Sequence, residues 1–166
     1  LIGREGDGFK CILDGMNAER ILVASDSLGD ARWFIEKAVA YSNQRVSFGK
    51  PIGAFQSLSH YLADAVTRVD GAEILVHEAA WARAIGRPVD QLAPMAKLFA
   101  DQTFRDVTAM AQQIWGGVGF TLEYDIQLFF RRAKQQQMTW WDGPYLEELV
   151  AAQVLDTDTP VRMASW

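Results

Sequence analysis

This chain of 166 residues lacks the residues that several common kinds of protein chemistry need. Cys11 is its only cysteine, which excludes an internal disulfide and a thiolate metal cluster. No stretch approaches the roughly 20 consecutive apolar residues that a membrane-spanning helix needs. Acidic residues outnumber basic ones, and the formal net charge of −5 argues against a nucleic-acid partner. The composition predicts an ordinary globular domain without a metal or nucleic-acid site.

Histidine-based and phosphate-loop motifs are missing as well. His60 and His77 lie on one predicted helix without a Ser–Asp arrangement beside them, and no ligand spacing suits zinc. The short basic cluster at 131–134 is interpreted as a solvated helix end. Because the chain has one cysteine and no recognisable signal peptide, we expect a cytoplasmic location. Since residue 1 is Leu, we interpret the chain as a fragment.

Apolar residues at alternating three- and four-residue steps predict three long helices. The first runs from an N-cap at Asn17 to about Gln44, the second from Phe55 to Gly86, and the third from about Asp90 to Trp115. Shorter helices are predicted over 125–133 and 144–155. The inward-facing positions of the first two helices share small or apolar side chains: Ile21, Ala24, Leu28, Ala31, Ile35, Ala38, Phe55, Leu58, Leu62, Ala65, Val69, Ala72, Val76 and Ala79.

These elements predict an all-α fold, an up-down helical bundle of three long helices plus two shorter ones. Residues 1–15 are expected to be the end of a preceding β-domain or a linker, with Phe9–Ile12 extended. The helical bundle is expected to occupy 16–155, and 156–166 to form an irregular tail.

Glycines follow two of the long helices. Arg45 and Phe48-Gly49 come after the first helix, and Gln113-Ile114-Trp115-Gly116-Gly117-Val118-Gly119 closes the third. Glycines where helices stop let backbone N–H groups approach an anion closely, and an Arg supplies a planar charged fork for phosphate oxygens. Together the two stretches predict a bundle that binds a pyrophosphate-bearing cofactor.

At these residues the chain strongly resembles the C-terminal helical domain of acyl-CoA dehydrogenases, which are FAD enzymes. The resemblance covers Leu1 to about Leu155. It implies that an Arg and a Phe after the first helix reach FAD across a subunit interface, and that the glycine-rich stretch lies along the diphosphate and adenine side. The residues so implied in FAD binding are Arg45, Phe48, Gln56, Gln113, Gly116 and Gly117.

The resemblance also implies the reaction, which is the α,β-dehydrogenation of an acyl-CoA thioester with a carboxylate as the base at Cα. Isovaleryl- and long-chain-type members carry this base where the chain has Glu19, which is the preferred assignment. The commoner members carry it in a Glu-Gly-Thr loop, where the chain has Asp142-Gly143-Pro144 and about two extra residues. The alternatives are a first-turn carboxylate for Glu19 and a helix N-cap for Asp142.

Other interpretations keep the fold and change the function. If neither carboxylate is the base, the chain is a catalytically silent subunit that holds FAD for an active partner. An acyl-CoA oxidase or a flavin monooxygenase of the same architecture is a further alternative. The resemblance implies a homodimer, homotetramer or heterotetramer, an acyl-CoA substrate, and an electron acceptor that is a flavoprotein or another carrier. Trp140 and Trp141 are interpreted either as a lid on the acyl pocket or as core packing.

Overall fold

A computed structural model describes residues 3–156 of the chain. It contains five α-helices: α1 Gly8–Gln44, α2 Gln56–Ala84, α3 Leu92–Trp115, α4 Ile126–Met138 and α5 Gly143–Leu155. A two-stranded hairpin, β1 Val46–Ser47 and β2 Lys50–Pro51, and a 3₁₀ turn Ile52–Ala54 connect α1 to α2. A second 3₁₀ turn, Gly116–Phe120, follows α3 directly. The predicted all-α bundle of three long and two shorter helices is confirmed, whereas 157–166 of the predicted tail lies outside the described residues.

The core lies between the three long helices and is built from the predicted apolar stripes. The α1 and α2 positions predicted to face inward are buried, except Phe55, which precedes α2, and Leu58; both are half-buried. Many of these positions are alanines without any exposed surface, such as Ala24, Ala31 and Ala72, and their small side chains let the helix axes approach closely. Helix α3 contacts each of the other four helices, so it forms the centre of the bundle.

The start of α1 differs from the prediction. The helix begins at Gly8, so Phe9–Ile12 is helical rather than extended and Asn17 is an internal residue rather than the N-cap. Asn17 instead accepts a hydrogen bond from Arg20 at 2.8 Å and donates one to Asp90, before α3, at 2.9 Å. The first turns of α1 form a helix because four apolar side chains share one face at helical spacing: Phe9, Ile12, Leu13 and Met16.

The segment after α1 folds into a tight hairpin. Phe48 and Gly49 form its two-residue turn, and both have left-handed backbones, with φ of 52° and 78°. Two consecutive residues with positive φ are typical of a hairpin turn whose twist matches that of the paired strands. A bulky aromatic residue rarely adopts this conformation, so the turn holds the Phe48 side chain in an unusual place, where it is 94% exposed.

The last two helices differ from the prediction mainly at their ends. Helix α4 continues to Met138, beyond the predicted end near Ala133, because the Gln135–Gln137 tract is compatible with helix. Helix α5 begins at Gly143, with Asp142 as its N-cap and Pro144 in its first turn. Between the two helices, Trp140 and Trp141 both have positive φ, 55° and 78°. Tryptophan rarely adopts this left-handed backbone conformation, so tertiary contacts must hold the loop in place.

Within residues 3–156, no helix is long and apolar enough to cross a bilayer. In the same part of the chain, no group of three or more His, Cys, Asp or Glu side chains is placed to hold a metal ion.

Candidate functional site

The two glycine-bearing stretches meet at one end of the bundle. Tyr41, one turn before the end of α1, stacks on Trp115, the last residue of α3, with ring centroids 4.4 Å apart. The backbone N–H of Arg45 donates to the Tyr41 carbonyl at 2.9 Å, and Gly116 follows Trp115 directly. This aromatic pair therefore places the Arg45 hairpin beside the glycine turn.

The glycine turn has an open side and a packed side. A side chain added at Gly116 or Gly117 would meet no atom within 4 Å, so another molecule can approach this backbone closely. Gly116 has φ of 64° and ψ of −143°, a conformation that is essentially restricted to glycine. Gly119 is on the packed side, where a Cβ would lie 2.5 Å from Oε1 of Gln112. The turn thus offers an exposed backbone on a rigid support.

Polar and aromatic side chains around this turn are accessible. Arg45, Gln56 and Gln113 are exposed, and no ion pair to Arg45 occurs within residues 3–156. Phe48 packs edge-on against Phe55, with centroids 6.2 Å apart. A free guanidinium, an open glycine backbone and an exposed aromatic ring suit a ligand with a diphosphate and flat rings, so the residues present fit FAD.

The opposite end of α1 brings together the neighbours of both candidate bases. The Arg20 guanidinium lies 4.9 Å from the ring centroid of Trp141. Arg20 follows Glu19 and Trp141 precedes Asp142, so the two carboxylates belong to adjoining segments. Arg20 is only 6% exposed, and burial lowers the pKa of its guanidinium.

An apolar cavity of about 280 Å³ lies between the first turns of α1 and the loop before α5. Its lining residues are all apolar or aromatic: Phe9, Ile12, Leu13, Met16, Trp140 and Trp141. Glu19 lies three residues beyond Met16, at the flank of the same helix face. The cavity suits a small apolar group, and Glu19 is about one helical turn beyond its lining.

The two candidate bases differ in what holds them. Glu19 lies well inside α1, not in its first turn, so the alternative of a carboxylate that complements the helix N-terminus is wrong. Glu19 is exposed and forms no ion pair within residues 3–156. Asp142 is half-buried, and its Oδ1 accepts a 3.4 Å hydrogen bond from the backbone N–H of Tyr145, as an N-cap residue does.

The Arg45 end and the Glu19 end of the domain are far apart. From Glu19 to the last residue of α1, the helix rises by roughly 40 Å at about 1.5 Å per residue. This separation exceeds the length of an extended dinucleotide. The residues at the two ends of α1 therefore cannot contact one and the same FAD molecule from a single chain.

Sequence reasoning missed a buried cluster beneath the loop that carries Asp142. Lys97 in α3 has no exposed surface, and its ammonium lies 2.5 Å from Oδ2 of Asp101. The other oxygen of Asp101, Oδ1, accepts a 2.8 Å hydrogen bond from the Ser27 hydroxyl of α1. The spacing of Lys97 and Asp101, four residues apart among inward-facing alanines, was the available signal. Opposite charges at that spacing are usually solvated, so the pattern alone does not indicate burial.

The fold is a helical bundle with an accessible glycine turn and Arg45 at one end and an apolar cavity at the other. Residues 6–154 match the family model described as acyl-CoA dehydrogenase, C-terminal domain. The chain belongs to the acyl-CoA dehydrogenase family and corresponds to that domain.

Individual relatives agree with this membership. The chain is 41% identical over 138 residues to an acyl-CoA dehydrogenase of Bacillus subtilis, covering 83% of the chain and 36% of the relative. It is 37% identical over 155 residues to the acryloyl-CoA reductase (NADH) of Anaerotignum propionicum, covering 93% of the chain and 39% of that relative. The solved structure of butyryl-CoA dehydrogenase from Megasphaera elsdenii superimposes with a TM-score of 0.89 at 37% identity, covering 92% and 40%. The chain thus spans about two fifths of the length of these relatives.

Proposed function

We propose that this chain is the C-terminal domain of an FAD-dependent enzyme that dehydrogenates an acyl-CoA thioester between Cα and Cβ. The observation that carries the proposal is the Tyr41–Trp115 stack, which joins the Arg45 hairpin and the glycine turn into one anion-accepting surface. Family membership supports it independently, because the relatives are named as enzymes of acyl-CoA compounds.

The Arg45 end of the domain binds the diphosphate and adenine side of FAD in this proposal. The Arg45 guanidinium pairs with phosphate oxygens, and Gly116 and Gly117 allow the backbone to approach them. Gln56 and Gln113 supply amide groups near the same surface, and Phe48 provides a flat apolar contact. Bound there, FAD would supply the acceptor for the hydride from Cβ.

The Glu19 end of the domain contacts the acyl group. The apolar cavity beside Trp140 and Trp141 accepts an acyl chain, in agreement with the interpretation of these tryptophans as a lid. Glu19 removes the proton from Cα, since its carboxylate is accessible and forms no ion pair within the described residues. Asp142 is the alternative base, although its side chain caps α5.

The separation of the two ends supports a dimeric or higher assembly. If both ends bind FAD or its substrate, they do so in different active sites, because roughly 40 Å of helix separates them. Each active site then combines the Glu19 end of one subunit with the Arg45 end of another. A homodimer, a homotetramer and a heterotetramer all satisfy this requirement.

A catalytically silent subunit is the second candidate function. It is favoured by the hydrogen bond that engages Asp142 in a helix cap where the family more often has a free Glu in a Glu-Gly-Thr loop. Such a subunit retains the Arg45 surface and contributes it to the FAD of an active partner.

The test uses the full-length protein, with bound flavin followed by absorbance during anaerobic titration with a panel of acyl-CoAs. We expect substrate to bleach the flavin of the wild type and of Asp142→Asn, but not that of Glu19→Gln. Loss in Asp142→Asn alone assigns the base to the loop before α5. A wild type that binds FAD but is bleached by no acyl-CoA contradicts the enzymatic proposal and favours the silent subunit. The 166-residue chain alone should bind FAD weakly and show no turnover.

A further inference from the structure

The buried ammonium of Lys97 connects the central helix to the loop that carries Asp142. An ammonium has three N–H donors, and Lys97 has three acceptors within reach. Besides Oδ2 of Asp101, these are the main-chain carbonyls of Gln136 and Trp141, each 3.3 Å from Nζ. Since Lys97 has no exposed surface, water does not compete for these hydrogen bonds.

Asp101 and Ser27 fix the position of the Lys97 ammonium. Asp101 is buried. One of its carboxylate oxygens accepts a hydrogen bond from the Lys97 ammonium, and the other accepts one from the Ser27 hydroxyl of α1. Burial raises the pKa of Asp101, whereas the Lys97 charge and the Ser27 hydroxyl oppose that rise. The ammonium is therefore held from the side of α1 and α3, and its remaining two hydrogens point to the last turn of α4 and to the loop that follows it.

The two carbonyls that Lys97 binds are at places where the backbone needs support. Gln136 is in the last turn of α4, where carbonyl oxygens accumulate negative partial charge and a cation is favourable. Trp141 follows Trp140 with a second left-handed backbone, a conformation that is strained for a residue other than glycine unless other contacts compensate. A charge-assisted hydrogen bond to the Trp141 carbonyl fixes the orientation of the peptide that precedes Asp142.

We propose that Lys97 is a positioning residue: through the carbonyls of Gln136 and Trp141 it sets the conformation of segment 139–142, which walls the apolar cavity and carries Asp142. The proposal rests on the proposed function for its consequence on catalysis, since the placement of a wall or base within about 1 Å affects rate strongly. Its structural consequence is independent of catalysis. Arg20 contacts the same segment only through the Trp141 ring, so it does not replace the carbonyl hydrogen bonds.

The test compares two variants of the full-length protein, Asp101→Asn and Lys97→Met/Asp101→Asn. Both lack the ion pair, but only the second lacks the donors to the Gln136 and Trp141 carbonyls. Hydrogen–deuterium exchange is measured for peptides that cover 136–146, and flavin reduction by an acyl-CoA is measured in single turnover. We expect exchange in this segment to be roughly tenfold faster or more in the double variant than in Asp101→Asn. The reduction rate should fall with little change in substrate affinity.

Val107→Ala provides a second comparison if Asp101→Asn, with its unpaired ammonium, does not fold. Val107 is buried in α3, about 15 Å along the helix from Lys97 at 1.5 Å per residue, so it lowers stability without removing the carbonyl contacts. The double variant replaces the buried pair with neutral groups and should fold. Faster exchange of 136–146 in the double variant than in Val107→Ala, at matched melting temperature, supports the proposal.

The proposal is overturned if exchange of 136–146 is the same in the double variant and in its control. A wild type whose flavin no acyl-CoA reduces contradicts the proposed function alone, because the exchange comparison still reports the position of the segment. Conversely, unchanged exchange together with normal flavin bleaching leaves the proposed function intact and removes the role of Lys97.

Discussion

Alanine substitutions at Gly116 and Gly117 separate backbone strain from ligand access in the glycine turn. Neither added methyl group meets an atom within 4 Å, so packing does not distinguish the two positions. Only Gly116 has positive φ, 64°, with ψ of −143°. The two neighbouring glycines therefore form a matched pair in which one backbone accepts any residue and the other does not.

The structure gives the size of the expected difference. Each Gly→Ala change restricts the unfolded chain similarly, which contributes about 0.4–1 kcal/mol of stability in both variants and cancels in the comparison. The remaining term is the strain of an L-residue in a glycine conformation, about 1–3 kcal/mol. Gly116→Ala should thus be less stable than Gly117→Ala by about that amount.

Urea unfolding of the 166-residue chain, followed by far-ultraviolet circular dichroism, measures this difference at a common m-value. The reasoning about the backbone is refuted if the two variants have equal midpoints. In the full-length protein, both methyl groups intrude on the open face of the turn, so both variants should bind FAD more weakly than the wild type. A stable Gly117→Ala protein with unchanged FAD affinity would refute the placement of the diphosphate against this turn.

Three further predictions use the same unfolding assay. Phe104→Ala should lower the free energy of unfolding by about 3–5 kcal/mol, because the ring is fully buried in α3. Phe48→Ala, at a position that is 94% exposed, should change it by no more than about 0.5 kcal/mol. Equal losses in the two variants would contradict the burial of Phe104. Asp142→Ala should lose about 1 kcal/mol through the N-cap of α5 while Asp142→Asn retains it, and identical midpoints would exclude the cap. Arg32 lowers the pKa of Glu73 through a 2.6 Å hydrogen bond. The stability that this exposed pair contributes is therefore present above the usual Glu pKa and is lost as the pH falls through the lowered pKa. Glu73→Gln should abolish that part of the acid dependence of the unfolding midpoint, and high salt should weaken it.

The apolar stripes of the three long helices were predictable because burial in a helical bundle repeats along the sequence. Ile21 to Ala38 and Leu62 to Ala79 follow that repeat, and the structure buries them as predicted. The start of α1 was not predicted, because Phe9–Ile12 was interpreted as an extended segment. Gly8 and Gly15 lie on open surface, where glycine costs a helix only about 1 kcal/mol, and the apolar face toward Trp140 offsets that cost.

The contacts between elements at the candidate site could not be predicted from the sequence, for a different reason. Arg45 and Gly116 were each predicted from local motifs, but their proximity depends on the Tyr41–Trp115 stack between two helices. Lys97 lies in a predicted helix, yet nothing local indicates that its charge is buried and faces a loop more than one helix away. Single-sequence patterns report which face of a helix is apolar, whereas these contacts depend on how helices dock.

The packing of the tryptophans in the loop before α5 determines where Asp142, one of the two candidate bases, is placed. The resemblance implies about two extra residues relative to the Glu-Gly-Thr arrangement, and in this loop Trp140 and Trp141 both have left-handed backbones. Arg20 holds the Trp141 ring and Lys97 holds its carbonyl, so the loop ends in a fixed orientation at Asp142. There the shorter carboxylate of Asp142 accepts a hydrogen bond from the backbone N–H of Tyr145, which engages it as the N-cap of α5. Because Glu19 is exposed and caps no helix, we keep it as the proposed base.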